Sequence, residues 1–329
     1  MLGKRLQNLL KMTFGLCVLA WIAWHLELSK LLDLARRGEP LHFVLGVGFL
    51  VVAMLGLQWT RLHLLIKSYT PNLATSLKIF FVGALFNNFL PSNIGGDAVR
   101  LMYLKNLRGE GWGTPLTLLV MYRLSSFVLL VIGGLAYVSV ERQRLIALLR
   151  ANHLFVELRP TTWLLAAALS LALLAAAYML RHRVSARVQG RVAESVRTVR
   201  AAFALLSRAD AFSLLVQTAL FHLCRVLSFY FLVRYMGQSV ALWDLVFVIS
   251  ATAVIAVLPV TVAGLGVMEA SITGLLVMYG VELSCAGAVA FVNRAVLLLS
   301  AAIGGVIYLR SGEPRPAQPA VVKSSAPGV

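Results

Sequence analysis

Residues 86–101 read FNNFLPSNIGGDAVRL. An apolar run leads into them. Where a membrane helix would simply continue stand Asn87, Asn88, Pro91, Ser92, Asn93, Gly95, Gly96, Asp97 and Arg100. Pro91 stops a helix, because its ring removes an amide donor and clashes with the preceding turn. Gly95 and Gly96 allow a second backbone or a ligand to come close. The asparagines and Ser92 supply the hydrogen bonds that an interrupted helix needs in apolar surroundings. The stretch therefore reads as a break that builds a polar site inside a greasy chain.

The rest of the chain supports that setting. Of 329 residues, 60% are hydrophobic, the mean hydropathy is +0.84, and several apolar runs exceed the roughly 20 residues that cross a bilayer as a helix. The expected class is an all-α polytopic membrane protein. Apolar segments fall near 9–27, 41–63, 75–91, 114–140, 162–180, 211–236, 242–258, 260–280 and 284–308. The longest non-apolar stretch, 181–210, is too short for a soluble catalytic domain of ordinary size, so no enzyme is expected. The basic, apolar N-terminus lacks a small-x-small cleavage site and reads as an uncleaved first helix. Cys17, Cys224 and Cys285 sit in apolar runs without ligand-like spacing.

A second break matches the first. Leu258-Pro259 is followed by Gly264, Gly266 and Glu269, as Leu90-Pro91 is followed by Gly95, Gly96 and Asp97. If each broken segment returns to its own side, one side carries seventeen Lys and Arg against four Asp and Glu, and the other eight against seven. The basic side is then cytoplasmic, with both termini on it. The order Arg61, Pro91, Asp97, Arg123 recurs as Arg225, Pro259, Glu269, Arg294, with acid-to-Arg separations of 26 and 25 residues. The expected architecture is about seven full spans plus two re-entrant helical hairpins arranged as inverted repeats, about 41–140 and 211–308. Broken helices in inverted repeats frame the substrate site of many secondary transporters.

A charge at mid-bilayer costs about 2.5–3.5 kcal/mol or more and normally has a partner. By repeat position, Arg123 and Arg294 are the candidate partners of Asp97 and Glu269. Two readings follow. The pairs tie each broken segment to the next helix, or the arginines bind an anionic headgroup while the carboxylates gate it or carry a proton. Substrate-binding candidates are Arg123, Arg294, Asn87, Asn88, Asn93 and Arg100. Gating or coupling falls to Asp97 and Glu269, and helix breaking to Pro91, Gly95, Gly96, Pro259, Gly264 and Gly266. For Arg61 and Arg225 two readings stand level: snorkelling to the cytoplasmic or outer interface, or a functional role like that of the other intramembrane arginines.

NNFLPSNIGGDAVR, LPVTVAGLGVMEA and NRAVLLLSAAIGGVIYL together resemble the lysylphosphatidylglycerol synthase transmembrane family. This is the flippase-like domain also found at the N-terminal end of the bacterial multiple peptide resistance factor. The resemblance covers roughly residues 10–310. The Asn-x-x-Leu-Pro-x-x-x-Gly-Gly-Asp-x-x-Arg pattern is carried by Asn87, Leu90, Pro91, Gly95, Gly96, Asp97 and Arg100, and the second motif by Pro259, Gly264, Gly266 and Glu269. Where members often have Asp-Arg before the central span, this chain has Tyr122-Arg123. The resemblance implies a helical bundle that moves a lipid between leaflets of a bacterial inner membrane. The synthase half is not expected here.

Between the repeats, about 183–208, valines recur every three or four residues beside Arg183, Arg187 and Arg191. This fits a basic interfacial helix on anionic lipid or a plain topology-fixing loop. The Pro- and Ser-containing tail 311–329 is expected to be disordered. No metal-ligand spacing, phosphate-binding loop or dinucleotide fingerprint occurs, so no cofactor or metal is expected. The net charge of +17 sits beside a membrane rather than on a nucleic-acid module. The expected function is translocation of a phospholipid or lipid-linked anionic headgroup. The alternative is a non-transporting accessory protein that binds a lipid or a glycosyltransferase. Homo-oligomers and a synthase partner are compatible with either.

Overall fold

A computed structural model of the chain describes residues 39–89, 95–108, 111–151, 206–257 and 266–311. Among them every element is helical and none is a strand. Helix α1 runs Pro40–Ile66, with Pro40 in the first turn, where its missing amide costs nothing. It carries a π-helical stretch, Val52–Leu57, which turns the face that follows relative to an unbroken α-helix. Then come α2 (Leu73–Phe89), α3 (Gly95–Arg108), α4 (Gly113–Val140), α5 (Arg142–Ala151) and α6 (Arg208–Tyr235). The last three are α7 (Leu242–Val257), α8 (Val267–Met278) and α9 (Leu283–Ser311).

Four of these, α1, α4, α6 and α9, have apolar lengths of 27 or 28 residues. At 1.5 Å per residue each reaches about 40 Å, more than the hydrocarbon thickness of about 30 Å. Between them lie the shorter apolar helices α2, α7 and α8. The chain is thus a polytopic helical membrane protein. The segments expected at 9–27 and 162–180, the basic stretch up to residue 205 and the tail from 312 lie outside the described residues. Between the apolar segments 114–140 and 162–180 the chain forms helix α5.

Packing is reciprocal. Helix α1 lies along α6; α2 packs against both α3 and α9; α4 packs against α7; and α8 contacts α7 and α9. One core cluster, with Phe229, Leu245, Ile249, Ile272 and Val289, joins α6 to α9. A second, with Leu62, Ile79, Phe80, Leu104 and Leu118, joins α1 to α4. Leu50, Ala53 and Met54 of α1 meet Phe221 and Cys224 of α6 and Val296 of α9 at the seam. Outward faces are apolar: Leu124, Val128, Ile132 and Leu135 on α4, and Phe212, Leu215, Val216 and Leu220 on α6, are exposed. Charges turn inward, since Arg61, Asp97, Arg100, Arg225, Asp244, Glu269 and Arg294 are buried. This inversion suits a hydrocarbon solvent.

Candidate functional site

At the first break, α2 and α3 are held so close that a Cβ on Gly96 would lie 2.0 Å from the Gly83 carbonyl oxygen. Only glycine fits there. The Gly96 amide, which has no partner in its own helix, donates to Asn87 Oδ1 at 2.8 Å. Asn88 Nδ2 donates within its own helix to the Ala84 carbonyl at 2.9 Å.

Asp97 occupies the first turn of α3, where the helix dipole favours an anion. It binds two guanidinium groups. Arg100 Nη1 donates to Asp97 Oδ1 at 2.9 Å and Nη2 to the Phe80 carbonyl at 3.2 Å. Arg123, from α4, donates through Nε to Asp97 Oδ2. With one carboxylate and two guanidiniums, the cluster carries one net positive charge. Arg100 is buried, whereas the Arg123 side chain remains 45% exposed.

The second break repeats the pattern with a drier pair. Gly266 takes φ 80°, a left-handed conformation that favours glycine. Its amide donates to Glu269 Oε2 at 2.8 Å. The other carboxylate oxygen, Oε1, accepts from Arg294 Nε of α9. Both side chains are almost fully enclosed, at 3% and 6% exposure, and Arg294 Nη2 is buried without a hydrogen-bond partner.

The structure therefore brings together Asn87, Gly95, Gly96, Asp97, Arg100 and Arg123 at one site, and Gly266, Glu269 and Arg294 at another. Pro91, Asn93, Pro259 and Gly264 lie outside the described residues. Arg61 and Arg225 correct the snorkelling reading, being only 1% and 6% exposed. Arg61 Nη2 donates to Ser125 Oγ at 2.9 Å, Ser126 Oγ at 2.7 Å and the Tyr122 carbonyl at 3.3 Å. Those hydroxyls, supplied by α4, let the guanidinium turn inward.

A third polar cluster escaped sequence reasoning. Arg144 Nη1 and Nη2 grip both oxygens of Asp244, at 3.0 and 2.8 Å. Tyr137 donates its hydroxyl to Asp244 Oδ1 at 2.8 Å, and Tyr279 donates to the Tyr137 hydroxyl at 2.9 Å. Asp244 stands in the first turn of α7, where sequence alone suggests an ordinary solvated helix start. One signal was available for the surrounding architecture. Arg123 is followed by Ile132-Gly133-Gly134 and Tyr137, and Arg294 by Ile303-Gly304-Gly305 and Tyr308, at identical offsets. A Cβ on Gly133 or Gly134 would meet Val246 or Ser250 of α7, and one on Gly304 the Phe81 carbonyl of α2. Each Gly-Gly seats its helix against the opposite half of the chain.

Residues 8–305 match the family model described as the lysylphosphatidylglycerol synthase TM region. The chain belongs to this family. No curated protein and no solved structure matches it. Membership puts the chain among membrane proteins of lipid metabolism or translocation. It also gives the two carboxylate–arginine sites a context, because a lipid headgroup is a polar group that such a bundle would meet.

Proposed function

We propose that this member of the lysylphosphatidylglycerol synthase transmembrane family translocates a phospholipid, or a lipid-linked anionic headgroup, between leaflets of a bacterial cytoplasmic membrane. The observation that carries the reading is the recurrence of one polar device. At each helix break a carboxylate in the first turn of the second helix is held by an arginine from the long helix about 25 residues on.

Reciprocal packing supports an inverted-repeat arrangement. Exchanging α1–α4 for α6–α9 maps the α2–α9 contact onto the α7–α4 contact and leaves α1–α6 unchanged. In this reading α2/α3 and α7/α8 are re-entrant hairpins that frame a path open to either side in turn. Both termini and the basic loop are cytoplasmic. The net positive charge around Asp97, with Arg123 half-exposed, suits a phosphate. Asp97 and Glu269 would release the headgroup by recapturing their arginines, or take a proton. Asn87 Oδ1 and Asn88 Nδ2 are committed to backbone groups, and Arg123 is the exposed cation of the cluster, so headgroup contact falls first to Arg123. No nucleotide-binding motif is needed for a downhill or ion-coupled exchange.

A second reading draws on the closure of the Glu269–Arg294 pair, which is already neutral. It makes the chain a non-transporting accessory protein that holds a lipid or a membrane glycosyltransferase. Leaflet exchange of fluorescent phosphatidylglycerol in proteoliposomes separates the two. Exchange by the parent that falls to the protein-free rate in Asp97→Asn and Arg123→Gln, at equal folded protein, supports transport. Absence of parent exchange across anionic, zwitterionic and polyprenyl-phosphate lipids refutes it.

A further inference from the structure

At the α5 end of the bundle the two halves of the chain are tied through one carboxylate. Arg144 of α5 and Tyr137 of α4, both from the first half, donate to Asp244 at the start of α7, and Tyr279, just past α8, donates to the Tyr137 hydroxyl. Aromatic rings close around these polar atoms. The Tyr137 ring lies 5.0 Å from that of Phe247, 6.0 Å from Trp243 and 6.3 Å from Tyr279, and the Arg144 guanidinium stands 6.0 Å from the Tyr279 ring. Tyr137 is 0% exposed and Asp244 1%, whereas the Arg144 side chain is 49% exposed. Water and solutes therefore reach the tie through Arg144.

The repeat-related contact is made differently. Tyr308 follows Arg294 at the same offset as Tyr137 follows Arg123, and its ring meets Phe86 of α2 at 5.5 Å. The first turn of α2 holds no acidic residue, whereas that of α7 holds Asp244. Apolar burial is non-directional and survives small shifts. A two-pronged guanidinium–carboxylate grip holds in one geometry. The first suits a contact that slides, and the second one that catches.

The helices beneath the tie are built to part. Helix α4 meets α7 through Gly133 and Gly134, where a Cβ would lie 3.2 Å from Val246 and Ser250 respectively, so no side chain from these two positions interlocks with α7. On the α6 side of this seam lies an apolar crevice of about 420 Å³, bordered by Gly133, Trp243, Val246 and Ser250. A smooth contact beside free space lets packed helices slide and leaves the Asp244 network to fix their spacing. We propose that this network is a latch: it holds α4 and α5 against α7 and α8, and release of Arg144 from Asp244 opens that end of the bundle to water. What the opening serves rests on the translocation reading, in whose topology this is the outer side; the latch itself does not.

The test uses the full-length chain in proteoliposomes, carrying Cys17→Ala, Cys224→Ala and Cys285→Ala and a reporter Ser250→Cys in the seam, where the native side chain is 4% exposed. A charged, membrane-impermeant maleimide reports how often the seam meets water, because labelling of a buried thiol follows the population of the open form. The parent should label slowly. Arg144→Gln strands the Asp244 carboxylate and should speed labelling by about a hundredfold. Asp244→Asn weakens the grip without stranding a buried charge and should speed it by about two- to fivefold; should Arg144→Gln fail to fold, this variant carries the comparison. Arg144→Lys keeps the charge but loses the fork, and should fall between the parent and Arg144→Gln. A second reporter, Ser228→Cys, in the 0% exposed core of α6, should label at the parental rate in every variant. The proposal is overturned if neither Arg144→Gln nor Asp244→Asn speeds Ser250→Cys labelling, or if Ser228→Cys speeds up in step, which would mean general loosening. Labelling in the expected order without lipid exchange by the parent would refute translocation and leave the latch. Exchange by the parent with Ser250→Cys labelling unmoved would leave translocation and remove the latch.

Discussion

Breaking the Glu269–Arg294 pair one side at a time, and then on both sides, distinguishes a strut from a working site. Glu269→Gln leaves a guanidinium that is 6% exposed, with one nitrogen already lacking a partner and no means of losing its charge. Removing one member of a buried ion pair costs about 3–5 kcal/mol, a large part of the roughly 5–15 kcal/mol that holds a typical protein folded. Arg294→Gln should cost less, because the stranded carboxylate keeps the Gly266 amide and can take up a proton in a low-dielectric site. The double variant Glu269→Gln/Arg294→Gln leaves no buried charge. It should recover most of the loss, since neutral replacements of buried pairs are often close to thermodynamically silent. Unfolding of each variant in detergent micelles closes the double-mutant cycle, and leaflet exchange in proteoliposomes is measured on the same preparations. The transport reading expects a double variant that folds like the parent and exchanges lipid at the protein-free rate. A double variant that is both stable and active would reduce the pair to a strut. A Glu269→Gln protein within about 1 kcal/mol of the parent would refute the electrostatic premise itself.

Three further outcomes follow from particular contacts. Gly96→Ala must push α2 and α3 apart, given a Cβ 2.0 Å from the Gly83 carbonyl; thermal unfolding should register a loss of about 1–3 kcal/mol, and exchange should fall with it. Asp244→Asn leaves Arg144, whose side chain is 49% exposed, to its surroundings and keeps an amide oxygen for the Tyr137 hydroxyl, so it should cost about 1 kcal/mol or less. Arg144→Gln strands the buried Asp244 carboxylate with the Tyr137 hydroxyl as its remaining donor and should cost about 3 kcal/mol or more; equal losses in a denaturation series would contradict this ranking. Asn293 is fully buried with neither amide atom partnered, so Asn293→Leu should gain stability by about 1–3 kcal/mol. If the amide serves the translocated headgroup, the same variant should exchange lipid more slowly than the parent.

What could be read from the sequence followed from how few answers a bilayer permits. A proline and glycines inside an apolar run must break a helix, and a carboxylate beyond them must find a cation. That logic named Asp97 with Arg123 and Glu269 with Arg294 as candidate pairs, which the fold brings into contact. Among the described residues, each helix from Pro40 to Val140 and from Arg208 to Ser311 that is long or apolar overlaps one of the hydropathy segments. Burial of a flexible side chain was less legible. Arg61 lies near enough to a span end for snorkelling to look sufficient, and only the neighbouring helix shows that Ser125 and Ser126 draw it inward; Arg225 stands mid-span, where its burial was the more legible of the two. Asp244 was missed because nothing local marks it: its partners Arg144 and Tyr137 are 100 and 107 residues away in the chain. Arg100 pairing with Asp97, by contrast, is a three-residue step on one helix turn and was open to inspection.

The two halves are alike in scaffold and unlike in chemistry, and the differences run in one direction. The first half meets its carboxylate with two arginines and its helix arginine with two serine hydroxyls. The second half offers one arginine to Glu269 and carbon alone where those serines would be, at Val296 and Leu297. Buried hydroxyls without partners, Ser228, Ser250, Thr252 and Thr273, also fall in the second half, together with Asn293. Duplicated packing positions two breaks in one bundle; on the transport reading, a path that moves an amphiphile is served by ends that differ in polarity and hold it unequally. The half rich in satisfied charge is suited to keep its geometry. The half with unmet polar groups has more free energy to gain from a headgroup, and that is where lipid contacts should concentrate when they are mapped residue by residue.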